Sequence, residues 1–270
     1  MTPGKLRPLP LLRICALAFS IFLVAAFWDI DFAASAFVPP KPAFLKSELP
    51  QTARVPVLVE LFTAEGCAIC PPADGVLRGL EQQPVPGVEV IALEMHVDYW
   101  NGQGWRDPYA LRQLTNRQND YIRLFSLENV YTPQMVIAGQ AQVLGSDAAL
   151  ARDEIAKAAK GPRAHVDVSF QSASVATIRV ERLPAAAKDS EIWMAIAEGN
   201  LENAIDGGRT HSSVVRSLVM LARVEPGEAT VYSMHLRFNP RWKRDDLKYV
   251  VFVQERSSRK IWGATAVVPQ

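Results

Sequence analysis

Neither sign of charge is in excess in this chain, whose 270 residues include 29 basic and 28 acidic side chains. A nucleic-acid-binding protein usually carries a basic face, and a protein that binds a broadly cationic surface carries an acidic one. The near balance therefore argues against nucleic acid as a partner. Because 49% of the residues are hydrophobic and 21% are charged, the composition predicts a globular protein with an apolar core.

Several motifs that would identify an enzyme class are missing. The sequence contains no phosphate-binding glycine loop, no paired-carboxylate pattern and no Ser-His-Asp arrangement. Histidine is scarce, and His165, His211 and His235 lie far apart without metal-ligand spacing. We therefore interpret these three histidines as structural and predict no metal and no organic cofactor.

The N-terminal residues have the pattern of an export signal rather than of a folded domain. Three basic residues precede an uncharged apolar run at 14–28, and the small residues at 34–36 match a cleavage site before Phe37. An uncleaved N-terminal anchor is the alternative, because Asp29 and Asp31 separate the run from that site. Both interpretations predict an exported protein, periplasmic or secreted, that contacts a membrane only if the segment stays attached. A proline-rich leader follows at 37–54.

Cysteine is equally scarce, with three in the whole chain, one of which, Cys15, lies in the export segment. The exported part then has only Cys67 and Cys70, in a Cys-x-x-Cys motif. One cysteine pair without a spare thiol is typical of a dithiol redox centre in an oxidising compartment, and also of a single local disulfide.

The stretch 57–74 that contains this motif organises the rest of the chain. A β-branched, apolar run predicts a buried strand, and the proline pair after Cys70 can open a helix. The pattern continues to residue 161 in the order β-α-β-α-β-β-α. Residues 162–270 contain about seven short segments typical of strands, which predict a separate antiparallel, sandwich-like β domain.

Several blocks carry a family resemblance: 61–74 around the cysteines, 96–100, 104–108, 130–136, 203–216, and Gln254 with Gly263-Ala264. Together they resemble a secreted, thioredoxin-like bacterial family of unknown function. The resemblance implies a thioredoxin-like fold for 55–161 and an exported protein, but no substrate. In the wider thioredoxin superfamily a cis-proline faces the cysteine pair, and Pro133, after Thr132, is the matching position.

The residues predict a thiol–disulfide oxidoreductase that acts on protein thiols and needs a redox partner. Cys67 is expected to be the exposed nucleophile at the helix start, and Cys70, one turn inside the helix, the resolving cysteine. Thr132 and Pro133 would shape a substrate groove. Glu60, in an apolar strand, is a candidate for proton transfer with Cys70, and a salt-bridged structural role is the alternative.

Residues after the second strand are candidates for the rim of this site, either as a surface for substrate or as a His–Asp pair that tunes a thiol. They are His96, Asp98, Tyr99, Trp100 and Trp105. Buried aromatic residues and a structural histidine are the alternative. Two further functions stay open: Cu(I) binding by the cysteines with His96 or Met95 as a third ligand, and a non-catalytic binding module with a structural disulfide.

Overall fold

A computed structural model describes residues 54–102, 106–172, 174–203, 209–227, 229–237 and 239–268. The predicted export segment and leader, at 1–53, and Trp105 lie outside these residues. Among the residues that the structure does describe, no helix is both long and apolar enough to cross a membrane.

The first part of the chain alternates strands and helices. The elements are β1 (Val55–Thr63), α1 (Pro71–Gln82), β2 (Val88–His96), α2 (Arg112–Leu124), β3 (Gln134–Ile137), β4 (Ala141–Leu144) and α3 (Ala148–Ala158). β1 and β2 pair in parallel, and β3 pairs antiparallel with β1 and with β4. The Thr132–Pro133 peptide bond, at the entrance to β3, is cis.

Strands dominate the second part. They are β5 (Val166–Ser172), β6 (Val175–Val180), β7 (Ser190–Glu198), β8 (Leu201–Asn203), β9 (Arg209–His211), β10 (Val214–Val224), β11 (Thr230–His235), β12 (Leu247–Glu255) and β13 (Ile261–Val267). A short 3-10 helix, Arg244–Asp246, precedes β12.

Eight strands, from both parts of the chain, form one continuous sheet, whereas β8 and β9 pair separately. Its order is β13-β12-β7-β10-β2-β1-β3-β4, and β10 joins β2 in parallel through Val214 and Glu94. The sequence predicted a domain boundary at 161/162, whereas the structure has no break in the sheet there. The reason is that β2 offers a free edge, and hydrophobic patterns do not reveal which strand will fill it.

Three apolar clusters cover this sheet. On one face, α1 and α3 pack on β1 and β3 through residues such as Leu77 and Ile155. A second cluster contains Leu114 and Tyr121 of α2, both cysteines, and residues of β10, β12 and β13. In the third cluster, β5, β6 and β11 form a second, three-stranded layer over β7, β12 and β13.

Candidate functional site

The cysteine motif lies in a tight turn between β1 and α1. The backbone N–H of Cys67 donates to the Ala64 carbonyl and that of Cys70 to the Cys67 carbonyl, at 3.2 and 3.1 Å. Helix α1 begins at Pro71, with Cys70 as its N-cap. The two cysteines form a disulfide.

Two expectations about the cysteines are wrong in this disulfide-bonded form. Cys67 is not exposed, because both cysteines have 0% of their surface accessible and belong to the apolar cluster under α2. Cys70 caps α1 instead of lying one turn inside it, because the Pro71-Pro72 pair fixes the first turn immediately after it. Ile69, between the cysteines, is 66% exposed and covers the turn.

Pro133 lies beside the first turn of α1. A methyl group built on Gly145 would be 3.0 Å from Cβ of Ala73 and 3.1 Å from Cβ of Pro133, so a single small residue separates them. On the other side, Trp100 Nε1 donates to Thr132 Oγ1 at 2.8 Å. Tyr99 and Trp100 are exposed, which places two of the predicted rim residues at the surface beside Thr132.

His96 is not a rim residue. Its side chain is fully buried, and Nδ1 lies 2.8 Å from Asp107 Oδ2. The predicted partner Asp98 instead accepts a hydrogen bond from Thr115 Oγ1 of α2, at 2.6 Å. β2 is buried on both faces from Val90 to its end, so His96 is enclosed whichever face it lies on, and the chain becomes exposed only at Tyr99.

A buried ionic cluster surrounds His96, and the sequence-based interpretation did not anticipate it. His211 lies between two carboxylates: Nδ1 is 2.5 Å from Glu94 Oε2, and Nε2 is 2.7 Å from Glu65 Oε1. Burial alone would lower the pKa of His211, but Glu65 and Glu94 raise it to about 9. Burial likewise opposes the charge on His96, whose pKa Asp107 and Glu94 raise.

This cluster reaches the cysteine turn through the backbone. The Glu65 N–H donates to Asp107 Oδ2 at 2.8 Å, and Arg209 Nη1 donates to the Ala64 carbonyl at 2.9 Å. Arg209 also pairs with Asp74 of α1. The residues just before Cys67 are therefore held by side chains from two distant parts of the chain, Asp107 and strand β9.

Glu60 has the salt-bridged role that the sequence left as the alternative. Arg117 Nε lies 2.5 Å from Glu60 Oε1, and the Tyr121 hydroxyl donates to Oε2 at 2.6 Å. Gln254 accepts from Arg117 and donates to Tyr121, at 2.9 and 3.1 Å. Both Glu60 oxygens are thus engaged by α2, which leaves no support for proton transfer to Cys70.

The missed residues had a signal in the sequence. Glu94 interrupts an apolar strand as Glu60 does, so it too needs a buried partner. Arg117 lies three residues after Leu114 and four before Tyr121, on the buried face of a helix. The sequence could not show which residues pair. Arg117 lies 57 residues from Glu60, and His211 lies 117 residues from Glu94.

The solved structures that are similar to this fold include two that cover most of the chain. A protein from Agrobacterium tumefaciens is 26% identical, with a TM-score of 0.64 over 82% of this chain and 97% of that one. HBP35 of Porphyromonas gingivalis is 14% identical, with a TM-score of 0.56 over 80% of this chain and 75% of that one, and this likeness concerns the fold alone. No curated protein matches the chain. The family model DUF1223, "Protein of unknown function", matches residues 58–254, and because this is most of the sequence, the chain belongs to the DUF1223 family.

Proposed function

We propose that this protein is an exported thiol–disulfide oxidoreductase that exchanges disulfides with protein thiols through Cys67 and Cys70. The observation that carries the proposal is the Cys67–Cys70 disulfide, formed in the turn between β1 and α1. Only Gly145 separates Pro133 from Ala73, in the first turn of that helix. We include export in the proposal, and its support is the signal-like sequence pattern of residues 1–36.

We further propose that Val55–Ala158 is a thioredoxin-like unit. Two observations support this: the element order β-α-β-α-β-β-α, and the strand order β2-β1-β3-β4 with β3 antiparallel to β1. In such a unit the disulfide and the entrance to β3 share one end of the sheet, where an extended peptide can bind.

The exchange follows from the two sulfurs. In the reduced protein, the Cys67 thiolate attacks a substrate disulfide, forms a mixed disulfide and releases one substrate thiolate. The Cys70 thiolate then attacks Cys67 Sγ, which releases the second substrate thiolate and forms the Cys67–Cys70 disulfide. Two electrons pass from the dithiol to the substrate, and an external dithiol reductant must return them.

The surroundings of the motif favour a reducing couple. Ala68 and Ile69 offer no side-chain donor between the cysteines, and Pro71 and Pro72 have no N–H at the start of α1. A thiolate is therefore poorly stabilised there, which favours the disulfide and lowers the reduction potential. We expect a potential closer to about −270 mV, as in thioredoxin, than to about −120 mV, as in a strong oxidase.

A second candidate is a binding module in which the disulfide is only structural. The complete burial of both cysteines favours it, because exchange requires an accessible sulfur and the turn at 64–70 would have to open. The two candidates differ in whether the folded protein exchanges its disulfide.

Trapping in purified components distinguishes them. Reduced Cys70→Ser is mixed with a disulfide-linked model peptide, and mass spectrometry follows the adduct. The oxidoreductase predicts a persistent mixed disulfide at Cys67 in this variant, none in Cys67→Ser/Cys70→Ser, and rapid release by the reduced wild-type protein. If the folded protein forms no adduct, while the same variant unfolded in urea does, the disulfide is structural and the proposal fails.

A further inference from the structure

Three buried side chains from two strands converge behind the cysteine turn. Glu94 and His96 belong to β2 and His211 to β9, and each is at most 1% exposed. One oxygen or nitrogen atom from each lies within 4.8 Å of those of the other two. The converging atoms include Glu94 Oε2, which lies 2.5 Å from His211 Nδ1 and 3.8 Å from His96 Nε2.

Each imidazole is oriented through its other ring nitrogen by a carboxylate. Asp107 Oδ2 lies 2.8 Å from His96 Nδ1, and Glu65 Oε1 lies 2.7 Å from His211 Nε2. A histidine that ligates a metal usually has this arrangement, because the outer carboxylate fixes the tautomer and makes the inner nitrogen more basic. Here both histidines have it.

Among the buried side chains of Glu94, His96 and His211, one nitrogen has no hydrogen-bond partner in the part of the chain that the structure describes. It is His96 Nε2, fully buried and directed toward Glu94 at a distance too long for a hydrogen bond. A buried imidazole nitrogen without a partner is destabilising. A cation between the three side chains would give it one.

We propose that Glu94, His96 and His211 bind a divalent first-row transition metal ion, with Zn²⁺ as the best match. The set of two imidazoles and one carboxylate suits Zn²⁺, whereas Mg²⁺ and Ca²⁺ prefer oxygen ligands alone. This site uses no cysteine, and the inference is independent of the proposed redox function.

The geometry needs a small adjustment. Tetrahedral Zn²⁺ with ligands at about 2.0–2.1 Å holds them roughly 3.3–3.4 Å apart. The separation of Glu94 from His96, 3.8 Å, must shorten slightly, and that of Glu94 from His211, 2.5 Å, must widen by less than about 1 Å. The two histidine ligand atoms lie within 4.8 Å of each other, so they must approach by at most about 1.5 Å. A ligating imidazole nitrogen must be unprotonated, so any proton held on it is released when the ion binds.

The surrounding charge also suits a cation. Glu65, Glu94 and Asp107 bring three carboxylates into a buried region. Arg209 lies 3.5 Å from Glu65, but it also pairs with Asp74 and stands outside the ring of three ligands. A divalent ion would offset the negative charge of these three carboxylates.

Titration with Zn²⁺ alone tests the site. The full chain carrying Cys15→Ser is purified with the Cys67–Cys70 disulfide intact, so that no thiolate competes. It is stripped with a chelator and titrated against a chromophoric zinc indicator. We expect one equivalent to bind. His96→Gln and His211→Gln should each weaken binding more than about 100-fold, a larger loss than an outer carboxylate usually causes. The matched control is His235→Gln, an exposed histidine on β11, which should bind as the wild type does.

Substitution of an outer carboxylate gives an independent readout. Asp107→Asn keeps a hydrogen-bonding group beside His96 Nδ1 and should weaken Zn²⁺ binding about 10–100-fold. Circular dichroism of each metal-free variant shows whether it is folded. Wild-type protein that binds less than one equivalent, or binding that survives in folded His96→Gln and His211→Gln, would overturn the proposal.

Discussion

Arg117 places a guanidinium inside the protein, where α2 meets the sheet. Its positive charge is matched by Glu60 at 2.5 Å, and its remaining N–H groups reach Gln254 and Tyr121. The rings of Tyr121, Trp193 and Phe252 lie within 5.9 Å of the guanidinium carbon. Since burying a charge is unfavourable unless it is paired, each of these residues depends on the others.

Replacement of Arg117 by methionine should therefore be strongly destabilising. Arg117→Met leaves the Glu60 carboxylate buried without a counter-ion, and we expect the free energy of unfolding to fall by about 3–5 kcal/mol. The double variant Glu60→Gln/Arg117→Met should recover part of this loss, because it removes the unpaired charge. Urea denaturation measures both. Arg123→Met is the control: Arg123 is an exposed residue of α2, and its loss should change stability by less than about 1 kcal/mol. Equal losses in the two arginine variants would contradict the prediction.

Tyrosine ionisation gives a second test of the interior. Burial raises the pKa of five tyrosines: Tyr99, Tyr109, Tyr121, Tyr131 and Tyr249. For Tyr99 and Tyr249 it raises the pKa to about 12. A group whose pKa is raised on folding stabilises the fold below its unfolded pKa of about 10 and loses that contribution as the pH rises further.

Alkaline titration, followed by the ultraviolet absorbance of tyrosinate, should thus show late ionisation. At about pH 10, half of the tyrosines in an unfolded chain are ionised, whereas the native protein should show few tyrosinates. Unfolding in urea at this pH should raise the ionised fraction to about one half. Tyr99→Phe should remove one group from the late phase of the native curve. Native and unfolded curves that coincide would contradict this.

Among the elements, the end of the sheet beside the disulfide depends on one turn. Gly145, between β4 and α3, donates its N–H to the Pro133 carbonyl at 3.0 Å. It also separates Pro133 from Leu61 of β1 and Ala73 of α1. Glycine is needed here because the neighbouring side chains approach its backbone closely. Its backbone conformation is not the reason, since its φ is not in the left-handed region.

Gly145→Ala should push these elements apart. The added methyl group would lie 2.7 Å from Leu61 Cδ1 and 3.1 Å from Pro133 Cβ. We expect the free energy of unfolding to fall by about 1–3 kcal/mol, as for other overpacked sites, in thermal or urea denaturation. Gly79→Ala, in the interior of α1 with no heavy atom within 4 Å of the new carbon, is the matched control and should be neutral or stabilising by up to about 1 kcal/mol. A neutral Gly145→Ala would show that the turn can relax.

At the scale of the whole molecule, the core and the buried ionic groups depend on contacts between residues before and after position 161. The apolar cluster that contains the cysteines includes residues of β7, β10, β12 and β13. Gln254 completes the Glu60 network, and His211 completes the cluster behind the cysteine turn. The second part therefore supplies core and ionic partners to the first.

A fragment of residues 54–161 should consequently fail to fold cooperatively. It would expose the β2 edge and the sheet face that α2 shares with the second part, and it would leave Glu94 without His211. We expect a broad urea transition and rapid proteolysis, compared with one sharp transition for the full chain. A sharp transition of the fragment, with most of the stability of the full chain, would contradict this and restore the predicted boundary.

Local patterns were sufficient for the elements and insufficient for their assembly. The predicted strand and helix positions at 55–160 lie within a few residues of those in the structure, because apolar periodicity and turn residues act over short distances. The cysteine pair, Thr132-Pro133 and the exposed Tyr99 and Trp100 were also identified from the sequence. His96 was expected at the rim and lies in the interior, since its orientation depends on partners from other segments.

The sequence by itself determined which segments form strands and helices, and where the cysteines and prolines stand between them. It also determined that Glu60 lies in a buried strand, and it left the partner of Glu60 open. The tertiary structure alone decided that β10 would fill the edge of β2, that Arg117 would pair with Glu60, and that His211 would meet Glu94 and His96. The physical reason is that the preference for helix or strand depends on neighbouring residues, whereas the choice of a partner for a strand edge or a buried charge depends on the packing of the entire chain.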